Sequence, residues 1–166
     1  MMIYTILPTL ESDLATILEL NQAALPAVSS VYIEDMTHFL TIADYFRTIK
    51  IEDTIAGFLI ALAPGKDYHS MNYRWFENKY DSFMYIDRIV IAPEFQGNGL
   101  GRALYDDLRI FSRDMTPLIT CEVNILPMNE DSIRFHKKYG FRQVGTQETA
   151  GGKKEVSMMA YDIQHQ

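Results

Sequence analysis

The chain has one cysteine in 166 residues, which excludes an internal disulfide and leaves no Cys/His cluster with the spacing of a zinc site. Basic residues are in the minority, because 15 Lys and Arg stand against 22 Asp and Glu, for a formal net charge of -7. Nucleic acids and anionic membranes bind basic surfaces, so this balance argues against both as partners. A cationic acceptor suits the chain better.

Long apolar runs are also missing. No stretch approaches the roughly 20 residues that cross a bilayer, and the N-terminus lacks the basic region and cleavage site of a signal peptide. We therefore expect a cytoplasmic protein. What is present is a 48% hydrophobic chain of ordinary domain length, which predicts a single domain over residues 1–166.

Hydrophobic periodicity and turn residues predict the order strand, helix, helix, three strands, helix, strand, helix and two strands. Pro26 interrupts the first helical stretch, and the second is expected to continue to Phe46. Residues 64–81 are interpreted as a connection between the third and fourth strands that is unusually rich in aromatic residues. The pattern indicates an α/β (α+β) protein with four helices.

The most informative segment is a glycine-rich run between a predicted strand and a predicted helix: Gln96, Gly97, Asn98, Gly99, Leu100, Gly101 and Arg102. Glycine lets backbone N–H groups approach a ligand, and a helix start adds further N–H donors, so such a turn suits a polyphosphate. A P-loop needs Lys and then Ser or Thr after its last glycine, where this chain has Arg102 and Ala103. A dinucleotide fingerprint needs G-x-G-x-x-G, whereas the spacing here is G-x-G-x-G.

The run instead resembles the Q/R-x-x-G-x-G/A loop of the GCN5-related N-acetyltransferases (GNAT). A second family signature, an asparagine followed by a helix that ends in aromatic-x-x-x-Gly-Phe, is matched by Asn129 and by Gly140 and Phe141 downstream. The predicted element order is also that of the family, from residue 3 to about residue 163. The resemblance implies a central, mixed, mostly antiparallel twisted sheet of six to seven strands with four helices. The fourth and fifth strands would splay apart for acetyl-CoA.

The resemblance further implies that acetyl-CoA is the co-substrate, and no metal is expected. The exposed backbone at the end of the fourth strand would bind the pantetheine amides, the glycine run would bind the pyrophosphate, and the last helix would bind the pantetheine arm. The predicted cofactor-binding residues are Ile89, Val90, Ile91, Gln96, Gly97, Asn98, Gly99, Leu100, Gly101, Arg102, Asn129 and His136.

Acetyl transfer to an amine needs a base for the amine and an acid for the departing thiolate. Glu122 lies where some relatives carry a glutamate that relays the amine proton, and Asp87 would hold an incoming ammonium or form an ion pair with Arg88. His136 stands where many relatives have a tyrosine that protonates the thiolate, and histidine has an ordinary pKa of about 6.5 that suits this role. Tyr139 is the second candidate for the acid.

Acceptor contacts are expected outside the two motifs. Tyr73 and Trp75 belong to the aromatic connection, where ring faces beside carboxylates suit an amine through cation–π contact. Packing over the core or a homodimer contact is the alternative for that segment, because aromatic residues are enriched in both. Ser29, near the break at Pro26, is the third predicted acceptor contact.

These features predict an enzyme that transfers an acetyl group to a primary amine of a small-molecule or peptide acceptor by direct attack. Cys121 raises the alternative of a ping-pong route through a thioester, but a single strand cysteine is usually a small core residue. The other alternative is a non-catalytic acyl-CoA-binding sensor or partner module.

Overall fold

The computed structural model describes residues 2–163, which form two compact units. The first unit is the chain up to Lys66 together with Ile86–Phe111, and the second is Asp67–Tyr85 together with the chain from Ser112 onward. No helix within residues 2–163 is long and apolar enough to cross a membrane. The elements in chain order are β1 (Thr5–Pro8), α1 (Leu14–Ala23), α2 (Ile33–Ile42), β2 (Tyr45–Ile51), β3 (Thr54–Leu62), α3 (Met71–Lys79), β4 (Met84–Ile91), α4 (Leu100–Ser112), β5 (Leu118–Leu126), α5 (Glu130–Tyr139), β6 (Arg142–Thr149) and β7 (Lys154–Asp162).

The strands form a seven-stranded mixed sheet with the order β1-β2-β3-β4-β5-β7-β6, which confirms the predicted fold class. In the first unit, β1 pairs with β2 and β2 with β3, both antiparallel. Residues 56–62 of β3 are all buried, as expected for an almost wholly apolar strand. Gly57 lets the backbone of β4 come close, because a Cβ there would lie 2.4 Å from the carbonyl oxygen of Val90.

In the second unit, β4 pairs in parallel with β5 at Met84–Ile119 and Tyr85–Thr120, and β7 pairs antiparallel with both β5 and β6. Side chains alternate between the two faces of a strand. Thr120 and Glu122 therefore share the face of Tyr85.

One face of the second unit is covered by α3, and we call it the α3 face. The rings of Tyr73 and Phe76 on this helix lie 5.5 and 5.8 Å from the ring of Tyr85. The opposite face, the α5 face, carries Tyr161, whose ring lies 5.2 Å from Tyr139 of α5. The candidate groups of this unit are thus divided between two faces of one sheet.

Two details of the sequence-based prediction were wrong. Five α-helices lie within residues 2–163 rather than four, because the aromatic connection contains α3, which Ser70 caps by accepting a hydrogen bond from the Tyr73 N–H at 3.3 Å. The second helix ends at Ile42 rather than near Phe46, which lies in β2 opposite Ile60. The second error arises where aromatic residues fit helical and strand spacing equally well.

Candidate active site

The glycine run forms the turn between β4 and α4. Gly97 and Gly99 have φ angles of 80° and 78°, which L side chains rarely adopt, and a Cβ built at either would meet nothing within 4 Å. The Asn98 side-chain amide donates to two carbonyl oxygens of the same turn at 3.0 and 3.2 Å. The Gln96 amide donates to the carbonyl of Ile91 at 3.0 Å. The turn is therefore held by its own side chains, while its glycine backbone faces open space.

Helix α4 starts directly after this turn. The Ala103 N–H donates to the Gly99 carbonyl at 3.0 Å, so the N–H groups of residues 100–102 precede this first bond. Such N–H groups have no acceptor inside the helix and lie at the positive end of its dipole. Leu104 and Leu108 are fully buried and anchor the helix. An open glycine turn followed by an anchored helix start fits a bound pyrophosphate.

The end of β4 carries a buried arginine whose hydrogen-bonding partners we call the Arg88 cluster: Asp87, Asn21 and Ser29. The Arg88 Nε donates to Asp87 at 2.7 Å, and the two side chains are each only 4% exposed. The Arg88 Nη1 donates to the side-chain oxygen of Asn21 at 2.9 Å and to the Ser29 carbonyl at 3.0 Å, and Nη2 donates to the Ser29 hydroxyl at 3.0 Å. Two predicted site residues, Asp87 and Ser29, are thus joined by one guanidinium.

Glu122 lies on the α3 face and is half-buried. The Tyr85 hydroxyl donates to its Oε1 at 2.8 Å, and Tyr85 has no exposed surface. Cys121, which precedes Glu122 on β5, points to the α5 face and is 3% exposed. Burial, and secondarily the Glu122 charge, raise the pKa of the Cys121 thiol. A protonated, buried thiol is a poor nucleophile, which weighs against the ping-pong alternative.

The predicted acceptor contacts of α3 are packing residues of the second unit. Tyr73 has no exposed surface and lies within an aromatic group. Trp75 is half-buried against Gly145 of β6, where a Cβ would lie 2.5 Å from the indole ring. The Lys79 ammonium lies 5.1 Å from the centre of the Trp75 ring and donates to a carbonyl of β6 at 3.1 Å. These positions favour the core-packing alternative for the segment.

Helix α5 carries the two candidate acids. The His136 Nδ1 lies 2.7 Å from the Ser132 carbonyl, which can only accept, so Nδ1 bears the proton. Burial lowers the pKa of His136, and the bond to Ser132 offsets only part of that effect. The imidazole is therefore neutral near neutral pH. Tyr139 is 8% exposed and packs its ring against Tyr161 at 5.2 Å.

Asn129 is the N-cap of α5. Its side-chain oxygen accepts from the Ser132 N–H at 3.2 Å, which leaves the amide N–H groups as the donors that it would offer a ligand. Gly140 ends the helix at φ 122°, and its N–H donates to the carbonyls of His136 and Lys137. The asparagine and the glycine of the second motif thus each have a local structural role, at the start and at the end of α5.

Sequence reasoning did not identify three residues that the structure brings to these groups: Tyr85, Arg88 as a hydrogen-bonding centre, and Asn21. Tyr85 and Glu122 are 37 positions apart, and Arg88 and Asn21 are 67 apart, so no local pattern connects them. The sequence offers one clue to Tyr85: it lies two positions before Asp87 on the same strand, and residues with that spacing share a face. The roles of the individual site residues stay predictions.

Comparison with known proteins agrees with this geometry. The model of the acetyltransferase (GNAT) family matches residues 14–141. The chain is 29% identical over 118 residues to the peptidyl-lysine N-acetyltransferase YjaB of Escherichia coli, over 69% of this chain and 71% of that protein. It is 40% identical over 58 residues to the glucosamine 6-phosphate N-acetyltransferase of Trypanosoma brucei brucei, a match that spans 35% of this chain and only 37% of the relative.

A solved structure, Ard1 of Thermoplasma volcanium, has the same fold, with a TM-score of 0.79 at 17% identity over 96% of this chain and 97% of that one. The family match extends from the first residue of α1 to the glycine–phenylalanine pair after α5, and so includes the glycine turn. It is this coverage, rather than either motif alone, that decides the assignment. The chain belongs to the GNAT family of acetyltransferases, which use acetyl-CoA.

Proposed function

We propose that the protein is an N-acetyltransferase that moves an acetyl group from acetyl-CoA to the primary amine of a small-molecule or peptide acceptor by direct attack. The observation that carries the proposal is the open turn at Gly97 and Gly99 in front of α4. Its N–H groups would bind the CoA pyrophosphate, with Gln96, Asn98 and Arg102 at its sides, and the backbone of residues 89–91 would bind the pantetheine amides.

In the proposed reaction, Glu122 takes a proton from the acceptor ammonium. The amine nitrogen then attacks the thioester carbonyl carbon, so that a C–N bond forms and the C–S bond breaks. The leaving thiolate takes a proton from an acid, and the second proton that the nitrogen loses as it becomes an amide passes to solvent, from which the acid regains its own proton. A half-buried carboxylate with one oxygen held by Tyr85 supports the role of Glu122 as base. The bonding of Asp87 to Arg88 instead supports a structural role for that carboxylate.

His136 and Tyr139 are the proposed acids for the thiolate, and their surroundings favour different pH ranges. His136 has a lowered pKa and a protonated Nδ1, so near neutral pH its Nε2 accepts rather than donates a proton. A phenol keeps its proton up to a pH of about 10. Tyr139 is therefore the better donor at neutral and higher pH, while His136 suits contact with the cofactor through its acceptor nitrogen.

The acceptor is proposed only as a class. The names of the two relatives specify peptidyl-lysine and glucosamine 6-phosphate, and lysine and glucosamine both carry a primary amine. The net charge of -7 suits a cationic acceptor. An assay of thiol release from acetyl-CoA should therefore screen lysine peptides, N-terminal peptides, amino sugars, polyamines and aminoglycosides. We expect turnover with at least one of these amines.

The proposed pyrophosphate site at the glycine turn is tested by titrating acetyl-CoA against the Gly99→Glu variant. A side chain at a positive φ, with a carboxylate beside the pyrophosphate, should weaken binding at least about tenfold. Gly65→Glu is the matched control, because Gly65 has a φ of 85° and the same open surroundings but lies in the turn after β3. Equal acetyl-CoA affinities for Gly99→Glu and Gly65→Glu would contradict the assignment.

The same assay separates the enzyme from a non-catalytic acyl-CoA sensor. The Tyr85–Glu122 bond favours the enzyme, because a binding module has no need of an oriented, half-buried carboxylate. Tight acetyl-CoA binding without thiol release for any amine of the panel would favour the sensor. A homodimer and the cytoplasmic location stay predictions.

A further inference from the structure

The hydrogen bond between Tyr85 and Glu122 joins two neighbouring strands next to the paired residues Tyr85 and Thr120. Tyr85 lies opposite Thr120 in the parallel register, so its hydroxyl reaches the next residue on that face, Glu122, at 2.8 Å. Its ring is fixed by Tyr73 and Phe76 of α3 at 5.5 and 5.8 Å. The phenol has no exposed surface and therefore cannot turn away to water.

From this geometry we propose that Tyr85 is a positioning residue for the acetyl transfer: it orients the Glu122 carboxylate and stabilises its charged form. A phenol O–H that donates to a carboxylate favours the ionised state, because the neutral acid accepts the same bond less strongly. The bond fixes Oε1 and with it the plane of the carboxylate. The aromatic side chains of α3 thus serve the reaction by holding Tyr85 rather than by contacting the acceptor.

The titratable and charged groups beside the pair come from α3, β4 and β5. Tyr73 faces Tyr85 from α3, and the Cys121 thiol adjoins Glu122 on the opposite face. β7 places Met158 opposite Glu122 in the register. The charged side chains of α3 are Arg74, which bonds His69, Lys79, which bonds the Val144 carbonyl, and Glu77. On β4, Asp87 follows Tyr85 by two positions and is paired with Arg88.

The test is the pH dependence of kcat/KM for Tyr85→Phe, measured with the best amine of the panel. A base must be deprotonated to act, so activity rises as pH increases through the pKa of Glu122. Loss of the phenol donor should move this rising limb upward by about one pH unit and lower kcat about tenfold. The KM for acetyl-CoA should stay unchanged, because Tyr85 and Glu122 are not part of the proposed acetyl-CoA site.

Tyr45→Phe is the matched control. Tyr45 is 1% exposed and donates to the carboxylate of Asp107 at 2.7 Å, so the substitution removes an equally buried phenol–carboxylate bond within the first unit. It should leave the rising limb in place. The same limb position in Tyr85→Phe and Tyr45→Phe would overturn the proposal, and so would a lower kcat without a shift. A ¹³C NMR titration of the Glu122 carboxyl group in folded Tyr85→Phe should show the same upward shift.

The inference rests on the proposed function, and Glu122→Gln tells the two failures apart. Wild-type turnover in Glu122→Gln would contradict the base assignment itself. An inactive Glu122→Gln together with an unshifted Tyr85→Phe profile would contradict only the positioning by Tyr85. The NMR titration does not depend on an acceptor and therefore tests the Tyr85 bond even if every amine of the panel fails.

Discussion

Replacement of Arg88 by Met should produce a large loss of stability. Methionine keeps much of the apolar stem but removes the guanidinium from Asp87, whose side chain is 4% exposed. It also removes the donors that bond Asn21 and Ser29 at 2.9–3.0 Å. Loss of one partner from a buried ion pair costs about 3–5 kcal/mol, because the other charge stays buried.

The loss should appear as a lower free energy of unfolding in urea, followed by far-UV circular dichroism. For a chain of this size each kcal/mol lowers Tm by about 2–4 °C, so a decrease of about 6–20 °C is expected. Addition of Asp87→Asn to Arg88→Met should restore about 1–2 kcal/mol, since the uncompensated charge is then gone. A double variant no more stable than the single one would contradict the charge argument.

The control for Arg88→Met is Arg134→Met, which breaks the surface pair between Arg134 and Asp131. Those side chains are 72% and 96% exposed, and such pairs usually contribute little. The control should therefore change stability by less than about 0.5 kcal/mol. An Arg88→Met variant within about 1 kcal/mol of wild type would refute the reasoning, because it would mean that the buried pair has no more effect than a surface pair.

Three further changes test the packing and titration of the chain. Thr120→Val should stabilise by about 1 kcal/mol in urea unfolding, because the Thr120 hydroxyl is buried and has no hydrogen-bonding partner within residues 2–163; a destabilised variant would contradict this. Gly57→Ala should lower the free energy of unfolding by about 3 kcal/mol in the same assay, because the new methyl group would lie 2.4 Å from the Val90 carbonyl oxygen. An unchanged free energy of unfolding would contradict this prediction. For His136, the lowered folded-state pKa means that the unfolded chain binds the proton more readily, so stability falls as pH decreases through the ordinary histidine range. His136→Gln should weaken that pH dependence in thermal melts between pH 7 and 5, whereas the control His38→Gln, at an exposed position on α2, should leave it unchanged.

The glycine turn and the start of α5 were predictable from sequence because both are local structures. Gly97 and Gly99 act through their own backbone angles, and the Asn98 and Gln96 side chains bond within a few residues along the chain. Asn129 likewise caps the helix that it precedes. A ligand held by backbone N–H groups leaves its signature in residue spacing, so the motif and the geometry coincide.

The remaining candidates depend on contacts between distant segments, and sequence reasoning was weaker there. For Tyr73 and Trp75 the sequence leaves an acceptor pocket and core packing as alternatives, because aromatic side chains suit both. Only the fold shows that Tyr73 has no exposed surface and that Trp75 packs on Gly145. Asp87 and Arg88 are neighbours that strand alternation assigns to opposite faces, yet the long arginine side chain curls back to bond Asp87 at 2.7 Å. The ion pair with Arg88 that the sequence offered as an alternative for Asp87 is therefore the one that the structure shows.

The division of the second unit into two faces constrains any mechanism that uses its residues. Glu122 lies on the α3 face, and Tyr139 packs against Tyr161 on the α5 face, so the sheet separates the proposed base from the proposed acid. A proton taken from the amine therefore cannot pass directly to the thiolate through one side chain. The proposed base and the proposed acid are therefore two different groups, and the lowered pKa of His136 favours Tyr139 over His136 as the proposed proton donor at neutral pH.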